Sequence, residues 1–188
     1  MLGTTLNRRR MAIDRQLDEA SALIGARRLD EATAILAQVC ARKKQDGRAL
    51  HMFGVARAMQ GDNDAAEELL RKARTLKPSA ADVLTDLGSV LILRNKHSEA
   101  ADVLEKARRR DPRSQLAMFY HGVALTNLKR LDEALGIFET LVSRDPQNIA
   151  YAQNRATILG KLARFDEAEI AVDELLRKQP SMTEALLV

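Results

Sequence analysis

The chain is 188 residues long with a formal net charge of +4; 30% of its residues are charged and only 3% are aromatic. Acids and bases are interleaved, so no basic stripe with stacking aromatics is offered to nucleic acid, and no nucleic-acid partner is expected. No stretch approaches the ~18 consecutive apolar residues of a membrane span, and the one cysteine, Cys40, cannot form an intrachain disulfide. A cytoplasmic protein without a membrane partner is expected.

The charge is uneven: residues 1–46 hold nine Lys/Arg against six Asp/Glu, and residues 115–188 hold eight against ten. The N-terminal segment 1–12 contains Arg8, Arg9 and Arg10 with no apolar run behind them. It does not read as a secretory signal, and it is expected to extend the first helix. From residue 13 the sequence repeats. Ala32, Ala66, Ala100, Ala134 and Ala168 stand 34 residues apart, and Pro78, Pro112, Pro146 and Pro180 keep the same step, as do Gly54, Gly88 and Gly122. A period of this size marks stacked units without a common central core. It divides the chain into a degenerate unit 13–46 and four regular ones, 47–80, 81–114, 115–148 and 149–182. Residues 183–188 read as the start of a truncated sixth or capping helix.

Each unit reads as two helices. In 81–114, Val83, Leu84, Leu87, Val90 and Leu91 recur at three- and four-residue steps, the mark of an amphipathic helix. A second helix follows with Ala100, Val103, Leu104 and Ala107 on one face. Asp111-Pro112 ends it, because the residue before a proline is driven out of the α region. Asp30, Asp64, Ser98, Asp132 and Asp166 are expected to cap the second helices, with Glu67 and Glu169 as acids three residues further on. Gly54, Gly88 and Gly122 fall within first helices, where glycine costs roughly 1 kcal/mol against alanine. Close approach of the second helix at Ala66, Ala100 and Ala134 is the expected reason.

The pattern resembles the tetratricopeptide repeat (TPR) family. In the third unit its signature positions are Leu84, Leu87-Gly88, Leu91, Ala100, Leu104, Ala107 and Pro112. In the fourth they are Met118, His121-Gly122, Leu125, Ala134, Phe138, Leu141 and Pro146. The first unit departs from the signature, with Lys44 in place of the proline. The resemblance covers about 13–182. It implies an all-α helix–turn–helix solenoid wound as a right-handed superhelix, with first helices lining a concave groove. Carried over residue by residue, the groove-facing positions are His51, Met52, Val55 and Met59 in the second unit. They are Leu116, Phe119, Tyr120, Val123 and Asn127 in the fourth, and Asn154 in the fifth. Their apolar character suits a peptide or an amphipathic helix; packing of first helix against first helix is the competing explanation. The Lys/Asn clamp that some family members use for a chaperone tail is missing, with His51/Val55, Thr85/Ser89 and Phe119/Val123 at its positions. An asparagine ladder is missing too, Asn154 being the one asparagine in its row.

No catalytic, cofactor or metal site is expected. His51, His97 and His121 occupy different repeat positions and do not converge. Cys40 lies in the apolar stretch AILAQVCA and reads as a buried hydrophobe. Arg108, Arg109 and Arg110 close a helix, where cations are favoured. The expected function is therefore not enzymatic: a scaffold or adaptor that binds a protein or peptide partner. An alternative is the TPR arm of a larger bacterial sulfotransferase or glycosyltransferase, a reading that the interrupted end at 181–188 favours. An uncovered C-terminal face also suggests a weak homodimer.

Overall fold

The structure is a computed structural model. It describes residues 2–43, 45–76 and 80–178, with side chains from Met11 onward except at 175 and 178. Among the described residues there are ten α-helices and no strand: α1 (Leu2–Gly25), α2 (Leu29–Arg42), α3 (Gly47–Met59), α4 (Asn63–Leu76), α5 (Ala81–Leu93), α6 (His97–Arg110), α7 (Gln115–Asn127), α8 (Leu131–Arg144), α9 (Ile149–Lys161) and α10 (Phe165–Lys178). Odd-numbered helices are the first helices of the repeats and even-numbered ones the second. The fold is an all-α helical-repeat solenoid. Two compact units are separable, Met1–Asn95 and Lys96–Val188. In the first, α1 to α4 each pack on the next helix, and the first helices α1, α3 and α5 also touch in sequence; in the second, α6 to α10 pack successively.

One corner joins first helix to second throughout. Arg27, Gly61, Asn95, Lys129 and Ala163 all have φ between 58° and 84°. These left-handed residues stand one repeat apart, and only Gly61 is free of the Cβ penalty. Around them the backbone N–H of residue 28, 62, 130 or 164 donates to the carbonyl five residues back. The left-handed residue's own N–H donates to the carbonyl three residues back. This is the Schellman closure of a helix end.

The corner corrects the expected capping. The second helices start at Leu29, Asn63, His97, Leu131 and Phe165, so Asp30, Asp64, Ser98, Asp132 and Asp166 lie inside the first turn. The left-handed residue is followed at once by the N-cap, leaving no room for the later start that the acids suggested. The caps are Arg28, Lys96 and Arg130 in α2, α6 and α8, none with a side-chain cap bond. Arg28 and Arg130 instead reach the glutamate three residues on, Glu31 and Glu133, at 2.6 Å, and Arg164 reaches Glu167 likewise. Acids in the first turn still favour the helix dipole. In the second repeat Asp62, not Asp64, takes the capping bond, accepting from the Ala65 N–H at 3.2 Å. Side-chain caps belong mainly to the first helices: Asp46 accepts from the N–H groups of Arg48 and Ala49, Ser114 from Ala117 and Asn148 from Tyr151.

The proline stops hold where they are described. α6 and α8 end before Asp111 and Asp145, which lie at φ −131° and −139° ahead of Pro112 and Pro146. Pro78, Pro180, Lys44 and the expected stub 183–188 lie outside the described residues.

At Gly54 and Gly122 the space is taken chiefly by side chains of the second helix. A Cβ on Gly54 would stand 2.7 Å from Leu70 Cγ, with the Ala66 carbonyl further away at 3.4 Å; one on Gly122 would stand 2.6 Å from the Phe138 ring. Gly54 and Gly122 are thus sockets for a large side chain of the second helix, and at Gly54 the expected approach of the Ala66 backbone is present as well.

Candidate functional site

In the first unit the first-helix face is held by charge. Arg48 on α3 donates to Asp18 on α1 at 2.8 Å. His51 Nε2 lies 2.6 Å from Asp86 Oδ2 on α5, and its Nδ1 lies 3.8 Å from Asp82. Through the Nε2 contact His51 bridges two first helices, α3 and α5. Met52 is half-buried and packs against the cluster of Leu17, Ala20, Leu36 and Val39. Val55 is half-buried and Met59 is 39% exposed. Of this expected group, Met59 is the residue most open to solvent.

Beneath this face α4 and α5 are tied by a buried carboxylate. Glu67 is 5% exposed. Its Oε1 accepts from Arg71 at 2.9 and 2.7 Å and its Oε2 from Arg94 at 2.7 Å; Arg94 also pairs with Asp64. A buried acid is tolerable only when paired and hydrogen-bonded. The sequence suggested a helix-capping role for Glu67; its oxygens instead bind two guanidiniums. Cys40 packs against the cluster of Leu17, Leu36 and Val39 and against that of Leu50, Ala73 and Val83, and burial pushes its thiol above the ordinary value, with Asp46 adding to the shift. That is a structural thiol rather than a reactive one.

In the second unit the corresponding face is aromatic. The Phe119 ring meets Tyr120, Phe138 and Tyr151 at centroid distances of 5.6, 5.9 and 5.8 Å, in the range where edge-to-face pairs are favourable. Phe138 on α8 is fully buried and Tyr151 on α9 is 8% exposed. Phe119 is therefore fixed from beneath by two helices. Leu116, one turn before, is 52% exposed, and Val123 is half-buried. The two asparagines turn back on their own helices: Asn127 donates to the Val123 carbonyl at 2.9 Å and Asn154 to the Ala150 carbonyl at 2.8 Å. Leu116, Phe119, Tyr120, Val123 and Asn127 are brought together along α7, while Asn154 stands on α9. Phe138 and Tyr151, which hold the cluster, were not among the expected site residues. The repeat alignment placed Phe138 only as a signature position.

A further polar group replaces the leucine expected in the repeat column of Leu87. His121 is 8% exposed, and its Nδ1 accepts from Arg108 Nη1 at 2.9 Å. Burial, reinforced by the Arg108 charge, lowers its pKa from 6.5 to about 4. Because arginine can only donate, Nδ1 is the unprotonated nitrogen. Among the described residues no group of three or more His, Cys, Asp or Glu could hold a metal, and no helix is long and apolar enough to cross a membrane.

Stacked helix pairs, small residues under large ones and an apolar first-helix face define a helical-repeat scaffold of the kind that acts by protein–protein contact. The sequence profile described as Tetratricopeptide repeat matches residues 17–81 and 85–149; the chain belongs to this family. No curated protein matches it. Among solved structures, MamA from Desulfovibrio magneticus RS-1 is similar with a TM-score of 0.82 at 21% identity, over 90% of this chain and 96% of that one. MamA AMB-1 gives 0.77 at 25% identity, over 88% and 97%. YrrB, described as a TPR protein with an unusual peptide-binding site, gives 0.78 at 22% identity, over 91% and 88%.

Proposed function

We propose that this scaffold binds a peptide or an amphipathic helix along the groove of its first helices, with the α7 cluster as principal anchor. The supporting observation is the exposed Leu116 beside a Phe119 ring already fixed by Phe138 and Tyr151. A rigid aromatic gives up little conformational freedom when a partner docks. Within the first unit, the exposed Met59 is an adaptable contact of its own. The description of YrrB as a TPR protein with an unusual peptide-binding site supports a peptide as the kind of partner. Nothing in the matched structures supports the reading as an arm of a sulfotransferase or glycosyltransferase. The cytoplasm is the proposed compartment, and protein rather than nucleic acid the proposed partner.

The test is capture of a partner followed by Leu116→Ala with Tyr120→Ala, which leaves the Phe119 support in place. Affinity should fall at least about tenfold, as truncating anchor residues does. Unchanged affinity in a folded variant would show the cluster to be packing alone.

Weak self-association through α10 is a separate proposal. Phe165, Ile170 and Val172 are 68%, 59% and 44% exposed; Leu175, Leu186 and Leu187, which the sequence adds to this end, lie outside the described side chains. Sedimentation should show a concentration-dependent dimer that Ile170→Glu with Val172→Glu abolishes. A strict monomer at high concentration overturns the proposal.

A further inference from the structure

A second, polar surface lies in the unit Lys96–Val188, built by second helices α6 and α8 and the start of α7. Arg108, Arg109 and Arg144 line one open cavity of about 370 Å³ with Met118, Thr140 and a single acid, Glu105. Arg109 takes that acid, Nη2 to Oε1 at 2.5 Å. The other two guanidiniums have neutral acceptors. Arg108 donates to His121 Nδ1 at 2.9 Å. Arg144 Nη1 points to the Pro112 carbonyl at 3.4 Å and to Met118 Sδ at 3.3 Å, both long contacts. Burial lowers the Arg108 pKa, the neighbouring Arg144 charge lowers it further, and Glu105 opposes them. Three cations thus share one recess with one anion, and two of them have no carboxylate of their own among the described residues.

We propose that this cavity binds an oxyanion, the carboxylate or phosphate of an acidic segment on a partner protein. Guanidinium forks match such groups in plane and present several donors each, and most of the donors of Arg108 and Arg144 are not used internally. The floor of Met118 and Pro112 offers apolar contact to a peptide backbone. The recess has no aromatic face to stack a base. This surface is built mainly by second helices, with Met118 of α7, and does not use the α7 residues assigned to the first-helix groove. His121 makes it readable: an anion at Arg108 offsets the positive field that helps to keep the imidazole neutral, so occupancy should raise the His121 titration midpoint.

The experiment uses the full chain at low salt and three probes: Glu-Glu-phosphoserine-Glu-Glu, its unphosphorylated serine counterpart, and inorganic phosphate. Calorimetry should show peptide binding that weakens with salt. The Arg108→Gln/Arg144→Gln variant should lose about tenfold in affinity, the size expected for charged hydrogen bonds. The His121 midpoint, followed by NMR, should rise from about 4 when peptide saturates the wild type. Binding of the phosphopeptide alone assigns the site to phosphate, and binding of both peptides to carboxylates as well. Should the double variant fail to fold, Arg144→Gln, at an exposed position, decides with an expected loss of a few-fold. Equal affinity in the folded variants, absence of peptide binding, or inorganic phosphate binding as tightly as either peptide overturns the proposal.

Discussion

The two units solve the same packing problem with different chemistry. In Met1–Asn95 the joints are ionic: Arg48 to Asp18, His51 to Asp86, and Glu67 between Arg71 and Arg94. In Lys96–Val188 the material around α7 is aromatic, with Phe119 in contact with both Phe138 and Tyr151, and one interhelical ion pair, Arg155 to Glu174, joins α9 to α10. Ionic ties hold helices in register but demand that every partner be present, while rings add apolar burial and leave a face on which a partner can dock. The lesson is a division of labour. The repeat period sets where helices lie, and the residues that fill equivalent columns decide whether a face is occupied by its own charges or offered outward.

The sharpest test of this contrast is Gly122→Ala. Alanine gains helix propensity worth roughly 1 kcal/mol, yet its Cβ would meet Phe138 at 2.6 Å. That ring is fully buried and held edge-on to Phe119, so it cannot retreat. A net loss of about 2–3 kcal/mol is expected from urea denaturation. Gly54→Ala, against the Leu70 branch carbon at 2.7 Å, should cost about 1–2 kcal/mol, an aliphatic side chain repacking more readily. Equal or opposite effects would mean that the aromatic cluster is no stiffer than the aliphatic core.

For the ionic unit, Glu67→Ala leaves Arg71 and Arg94 without their shared carboxylate. Because those arginines are about one-third exposed, water recovers part of the loss, and roughly 2 kcal/mol is expected rather than the larger value of a fully buried pair. Amide hydrogen exchange should localise the loss to α4 and α5. Uniform loosening of α1 to α10 would remove the distinction between the units.

Acid should act on the aromatic unit through His121. The folded chain keeps this histidine neutral down to about pH 4, whereas the unfolded chain takes up its proton near 6.5. Its contribution to stability is therefore whole above pH 6.5 and is lost progressively as the pH falls to about 4, by roughly 1–3 kcal/mol. His121→Leu, which restores the apolar residue found at Leu87, should flatten the stability profile across that window. A slope that survives in the variant assigns it to other groups.

The smallest effects belong to the corners. Ala163→Gly and Lys129→Gly, at φ 58° and 62°, should each stabilise by about 0.5–1 kcal/mol, the relief of a left-handed Cβ less the added freedom of the unfolded chain. Thermal midpoints that fall would mean that the side chains at these corners make contacts worth more than the strain.

Helix order and the proline stops at Pro112 and Pro146 were legible because they follow from local chemistry repeated at one step. The caps were misread by two residues. The string LDEA advertises acids, while the helix start is dictated by a corner whose residues, Arg, Gly, Asn, Lys and Ala, share no side-chain chemistry. The α7 face was legible as a row of apolar positions, but the support of Phe119 by Tyr151 on α9 crosses 32 positions of chain and has no local signature. Arg108 read as a helix-end cation because its partner, His121, lies on the next helix. Reading columns across repeats could have found it, since a histidine in the column of Leu87 needs an explanation.

That corner has a consequence for how such a chain can change over time. The joint is made by main-chain groups alone, so copying or deleting a whole module transplants a working hinge with it. Removal of residues 129–162 would join Leu128 to Ala163, one left-handed position standing in for another and leading into the same kind of helix. Length is then an integer variable, adjustable by unequal crossing-over in steps of one module. The corner side chains are meanwhile free to drift, leaving almost no lettering by which a reader of the gene could find them.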